Sequence, residues 1–99
     1  MDIIHNKEKM QFTCEVDGFN CVVGYEIYAD TFDVVKTSVP KEVGGRGIAS
    51  ALVKAAYDFA KENDYTLVAS CSYAFVWLER HKEYNGAKSK NYVEGACRI

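Results

Sequence analysis

Two groups of residues in this 99-residue chain have the types and spacing to do chemistry. The first is the run Glu42-Val43-Gly44-Gly45-Arg46-Gly47-Ile48-Ala49, with three glycines inside four residues. Glycine lets a backbone come close to a ligand and turn its N–H groups toward it. A helix start beside it adds unpaired N–H donors and the positive end of the helix dipole. Together they form an anion site, and the expected ligand is a phosphorylated cofactor. A plain strand-to-helix turn would need only one of the three glycines. The spacing is not a Walker loop, because the Gly-Lys-Ser/Thr ending is missing. It is not the dinucleotide fingerprint either, because a third correctly spaced glycine is missing. Arg46 either adds a charge-assisted contact to a phosphate or is a solvated side chain. The second group is Ser70-Cys71-Ser72-Tyr73. A cysteine at the start of a helix gains reactivity from the dipole. The competing reading of Cys71 is a small buried apolar residue.

These groups need elements to hold them. Gln11 to Val16 alternates, with Phe12, Cys14 and Val16 on one face, and Asp17-Gly18 is a hairpin signal. Alternation resumes from Cys21 to Ile27, turns at Ala29-Asp30, and continues from Phe32 to Val39, where Pro40 ends the ladder. Three antiparallel strands in a meander are expected. The spacing of Ile48, Leu52, Ala55 and Phe59 predicts a helix over 48–61 with that stripe inward. Thr66 to Cys71 reads as a short strand and Tyr73 to Arg80 as a second helix, with Trp77 in the core. A right-handed crossover then sets the short strand parallel to the third. The fold class is α+β, with the glycine loop and Cys71 at the carboxyl ends of neighbouring parallel strands. Ligands bind there in open sheets. Residues 1–10 read as a frayed end or an irregular first strand, and 86–99 as irregular.

Size and composition narrow the function. One domain over 1–99 is expected, with room for a surface groove rather than a closed cavity. The net charge of −2 argues against nucleic acid as the main partner. No apolar run approaches a membrane span, and the first seven residues lack a signal pattern. None of the four cysteines shows metal-site spacing, so no metal is expected. Cys14 and Cys21 flank a turn and can approach, but a cytoplasmic setting keeps them reduced. His5 and His81 read as surface residues, and Lys36 as an outward strand residue.

The segment from Val39 to Asn63 resembles motif A of the GNAT acyltransferase superfamily. In that motif a Gln/Arg-x-x-Gly-x-Gly/Ala loop wraps the pyrophosphate of acetyl-CoA at the start of the central helix. The match runs over 42–47, with Gly45 and Gly47 in the glycine slots and Glu42 in place of Gln or Arg. Ser70 to Tyr73, followed by His81-Lys82-Glu83-Tyr84, resembles a small single-domain subgroup with a cysteine beside the acetyl-CoA thioester. Cys71 matches that cysteine. Lys36 precedes Thr37 where the subgroup often has a histidine.

The resemblance implies a minimal GNAT-like fold and acetyl transfer from acetyl-CoA to an amine. It puts the pyrophosphate on Gly44, Gly45, Arg46, Gly47, Ile48 and Ala49, and the pantetheine arm along Thr37 to Val39. Ser72 and Tyr73 join the cofactor contacts, and Cys71 is the catalytic candidate, as covalent acceptor or proton donor. Tyr73 and, less directly, Tyr84 are candidates to protonate the leaving thiolate, or pack with a polar tip outward. With only Asp17 to Asn20 between the first strands, the acceptor face should be open. It suits an amine on a peptide or protein, or a polyamine. A CoA-binding module without turnover and a plain interaction domain are the alternatives.

Overall fold

Asp17 and Gly18 both have positive φ, at 52° and 82°, the geometry of a two-residue hairpin turn. They join β2 (Gln11–Val16) to β3 (Phe19–Tyr28), in register with Cys14 opposite Cys21. A second tight turn, with Ala29 at φ 55°, leads into β4 (Thr31–Ser38). The structure, a computed structural model, describes residues 2–90 and 92. The meander is longer than expected, because β1 (Ile4–Asn6) pairs antiparallel with β2. After β4 come α1 (Ile48–Glu62), β5 (Thr66–Ala69), α2 (Ser72–Arg80) and β6 (Ala87–Lys88). Among the described residues the sheet has six strands in sequence order; β4, β5 and β6 run parallel. β6 replaces part of the irregular tail expected over 86–99, most of which lies outside the described residues.

The α+β expectation holds, and both helices lie on one face of the sheet. Trp77 of α2 packs on Tyr57 of α1 at 5.8 Å between ring centroids, and its indole N–H donates to the Ser50 hydroxyl at 2.9 Å. The core lies between that helical layer and the strands. Phe12, Cys14, Cys21, Val23, Tyr25, Phe32 and Val34 point inward from the sheet. The predicted inward stripe of α1 is corrected. Ile48 and Leu52 are buried as expected, but Ala55 and Phe59 are half-buried flanks, while Val53, Ala56, Tyr57 and Ala60 are buried. A helix lying across several strands buries a wide face rather than one narrow row.

The histidines also differ from expectation. His5 stacks on Phe12 at 4.0 Å, and its Nε2 lies 2.6 Å from the Tyr25 hydroxyl. Burial, with Lys7 second, lowers its pKa. His81 stacks on Trp77 at 3.9 Å, and its Nδ1 donates to the Trp77 carbonyl at 2.8 Å. Both rings are half-buried parts of aromatic clusters.

One irregularity decides which residues of β4 face the helices. Tyr25 pairs with Val34, but Gly24 pairs with Lys36, so Val35 is an extra residue in β4. Strict alternation from Phe32 and Val34 would turn Lys36 inward. The bulge reverses the phase, leaving Lys36 exposed and Thr37 buried.

Tyr57 is fully buried, and its hydroxyl donates to the Val68 carbonyl at 2.8 Å, tying α1 to β5. Burial raises its pKa well above 10. The unfolded chain ionises near 10 while the folded chain holds the proton, so this contribution is present below pH 10 and lost above it. Tyr57→Phe should cost about 1–2 kcal/mol at neutral pH. It should also flatten the alkaline fall in stability by up to ~1.4 kcal/mol per pH unit. Denaturant titrations between pH 8 and 11 check this, and equal slopes for the two proteins would refute it.

Candidate active site

Behind β4 the chain meets Pro40, which cannot extend the ladder, and makes one 3₁₀ turn over Lys41–Val43. Val43 is buried and pins that turn to the core. Glu42, in the slot where the motif has Gln or Arg, is exposed on it. Gly44 is extended (φ −67°), and Gly45 and Gly47 both have φ 78°. Those two angles lie in the left-handed region, which side chains with a Cβ adopt at a cost. Gly47 is the N-cap of α1, and no side chain caps that end. The first turn of α1 carries no acidic residue. Its amide donors and the positive dipole end therefore face the loop without a competing carboxylate.

A cavity of about 260 Å³ sits over this helix end. Gly44, Gly45, Gly47, Ile48 and Ala49 form one side, and Val39 and Tyr73 stand among the rest of its wall. Two lining residues were missed in the sequence, Lys41 and Ser50. Lys41 is the cation of the cavity wall, and its place directly after Pro40 was the available signal. Ser50 looked like a neutral helix residue; its partnership with Trp77 needs the tertiary structure. Burial raises the pKa of Tyr73, with the Ser50 hydroxyl and Arg80 pulling it down. Tyr73 therefore keeps its phenolic proton at neutral pH.

Arg46 does not line the cavity. Its guanidinium donates to Asp17 Oδ2 at 2.6 Å, with both side chains more than half exposed. This bridge joins the glycine loop to the β2–β3 turn. Thr37 and Ser72 are also outside the cavity wall; Thr37 is buried, and Ser72 is half-buried at the start of α2. Thr37 Oγ1 lies 3.5 Å from Cys71 Sγ. The Cys71 sulfur is disulfide-bonded in this structure. It therefore carries no proton, and the Thr37 hydroxyl is the donor. Cys14 and Cys21 are free thiols, and burial, with Cys21 second, pushes the Cys14 pKa up. Tyr84 is turned away from the cavity, donating to Asp58 at 2.6 Å.

The turn that carries Cys71 is held from β4. β4 and β5 pair from Thr31–Thr66 to Val34–Ala69 and then part. At the parting the Val34 carbonyl accepts the amides of both Ser70 (3.0 Å) and Cys71 (3.1 Å). Val39 and Thr37 on one bank and Cys71 and Tyr73 on the other thus flank the opened strands. Among the described residues, no cluster of three or more His, Cys, Asp or Glu is arranged to hold a metal ion. No helix among them is long and apolar enough to cross a membrane.

A family model described as GCN5-related N-acetyl-transferase matches residues 11–87. The chain belongs to that family. By that membership it is an N-acetyltransferase. It is 36% identical to Protein NATD1 of Danio rerio over 85 residues, covering 81% of this chain and 77% of that protein. It is 36% identical to Protein NATD1 of Gallus gallus over 76 residues, covering 74% of this chain and 69% of that protein. The fold is similar to the solution structure of a GCN5-like protein from Staphylococcus aureus. There the TM-score is 0.69 and the identity 27%, over 95% of this chain and 91% of the other.

The glycine geometry makes a direct test. A Cβ at Gly47 would meet nothing within 4 Å, so only backbone strain opposes it. Gly47→Ala should destabilise the protein by about 1–2 kcal/mol. Gly44 has an ordinary φ, and its Cβ would stand 3.4 Å from the Lys41 carbonyl oxygen. Gly44→Ala should cost less than half as much, read from denaturation midpoints. Equal losses at the two positions would contradict this.

Proposed function

We propose that this chain transfers an acetyl group from acetyl-CoA to an amine acceptor that approaches an open face of the sheet. The observation that carries the reading is the cavity at the start of α1. There, two left-handed glycines, the first residues of α1 (Ile48, Ala49 and Ser50) with their free amide donors, and Lys41 line one cavity. This donor set fits a pyrophosphate. At about 260 Å³ the cavity takes part of a cofactor of that size, leaving the remainder along the surface. Acetyl-CoA supplies an activated thioester carbon. The residues Thr37 to Val39 border the gap in which the pantetheine arm would lie, and backbone N–H groups near Val39 are placed to polarise a carbonyl. Tyr73, protonated at neutral pH, serves as proton donor to a leaving thiolate. Cys71, once reduced, either accepts the acetyl group or donates that proton. A reducing cytoplasm suits this requirement. Lys36 is exposed on the outward side of β4 and supplies no base inside the gap.

The two-residue turn at Asp17-Gly18 leaves no helix to wall off an acceptor, which favours a peptide, protein or polyamine amine over an enclosed metabolite. The disulfide at Cys71 favours a second reading, a CoA-binding module with slow or no turnover.

Calorimetry with acetyl-CoA should show saturable binding. Lys41→Ala should weaken it about tenfold, and Arg46→Ala by less than about threefold, because Arg46 is committed to Asp17. With a dithiol reductant present, wild-type protein should acetylate a peptide or polyamine panel. Cys71→Ala should keep the binding and lose transfer. Absence of saturable binding at high micromolar acetyl-CoA would sink both readings; binding without transfer by reduced protein would leave the CoA-binding module.

A further inference from the structure

Asp33 is a fully buried carboxylate that no step above uses. It lies in β4 opposite Val68, one residue before the end of the β4–β5 pairing. Three hydroxyls from three segments donate to its Oδ2: Tyr28 at 2.8 Å, Ser70 at 2.7 Å and Ser89 at 2.8 Å. Oδ1, equally buried, has no partner among the described residues. A bare buried carboxylate oxygen is costly. Buried charges of this kind are weak contributors to stability compared with apolar packing. The arrangement is better explained by what it positions.

We propose that Asp33 is the positioning residue of the site, holding the Ser70–Cys71 turn at the mouth of the β4–β5 gap through the Ser70 hydroxyl. This deepens the transferase reading and rests on it for its catalytic consequence. The clamp has three bonds. Two are the amides of Ser70 and Cys71 on the Val34 carbonyl, and the third is Ser70 Oγ on the adjacent residue of β4. A single pair of adjacent β4 residues therefore sets where β5 stops following the ladder and where α2 begins. The seats of Cys71 and Tyr73 follow from that point. The Tyr28 hydroxyl shares Oδ2 but comes from β3; its other partner is Ser89 Oγ at 3.3 Å, and among the described residues it makes no direct bond to Ser70 or Cys71.

The test compares Asp33→Asn, Ser70→Ala, their double variant and Tyr28→Phe, all in reduced protein so that the Cys71 disulfide does not itself hold the turn. Amide hydrogen exchange at Ser70 and Cys71 should speed up about tenfold in Asp33→Asn and in Ser70→Ala. The double variant should be no faster than either, because both remove one interaction. Tyr28→Phe should leave these two amides within about twofold of wild type. In acetyl transfer, kcat should fall in the first three variants while KM for acetyl-CoA stays within about twofold. If Asp33→Asn does not fold, Ser70→Ala against Tyr28→Phe carries the test. Unchanged exchange in Ser70→Ala, or equal acceleration in Tyr28→Phe, overturns the clamp. Exchange as expected with no transfer by wild-type protein upholds the clamp and removes the transferase reading instead.

Discussion

The Val34 carbonyl accepts two amide hydrogens, from Ser70 and Cys71, where a regular parallel ladder would give it one. With both donors drawn onto one oxygen, the chain after Ala69 folds back into a helix instead of continuing along β4. β4 runs on to Ser38 without β5 beside it. A sheet that opens between two parallel strands offers backbone polar groups and a slot at the strands' carboxyl ends, where open α/β sheets hold ligands. The cavity, the Thr37–Cys71 contact and the start of α2 all lie downstream of that one forked acceptor. The aromatic packing of Trp77 on Tyr57 fixes how α2 leaves the fork, and so where Tyr73 stands over α1.

The bulge at Val35 supplies the other half of the geometry. It costs one ladder position and changes the phase of β4, turning Thr37 into the protein and Lys36 out to solvent. Without it, the residue leading into the gap would be a lysine in an apolar layer, a burial that is unfavourable unless the charge is paired. The small hydroxyl at 37 instead meets the sulfur of Cys71 at 3.5 Å. The slot's deep end is therefore lined by groups that can sit close together without a net charge.

Much of this was legible in the residues. Alternation, the turn residues Asp17-Gly18 and the 3.6-residue pattern over 48–61 are local signals, and the elements they imply are present. The glycine loop was readable because its cause is local: φ 78° at Gly45 and Gly47 is a property of the backbone there. What was not legible depends on partners far along the chain. Tyr57 is core because Val68 offers its hydroxyl an acceptor, and His5 is half-buried because Phe12 and Tyr25 receive its ring. A bulge leaves no mark on a run such as Thr31 to Ser38, where either phase buries some apolar side chains. Asp33 is the extreme case. A carboxylate within a β-rich run reads as solvent-facing, and only the meeting of Tyr28, Ser70 and Ser89 makes its burial tolerable.

Arg46 contributes little to the shape of the glycine loop. Its guanidinium is 2.6 Å from Asp17, but the side chains are 51% and 63% exposed, so the bridge is worth at most about 1 kcal/mol. A contact that weak does not hold the loop in place. Buried Val43 at one end and the Gly47 cap of α1 at the other do so, by packing and backbone geometry. An anion at the helix end would meet a loop already shaped, and little ordering cost would be charged against its binding. The Arg46–Asp17 bridge spans the glycine loop and the β2–β3 turn, and neither residue lines the cavity.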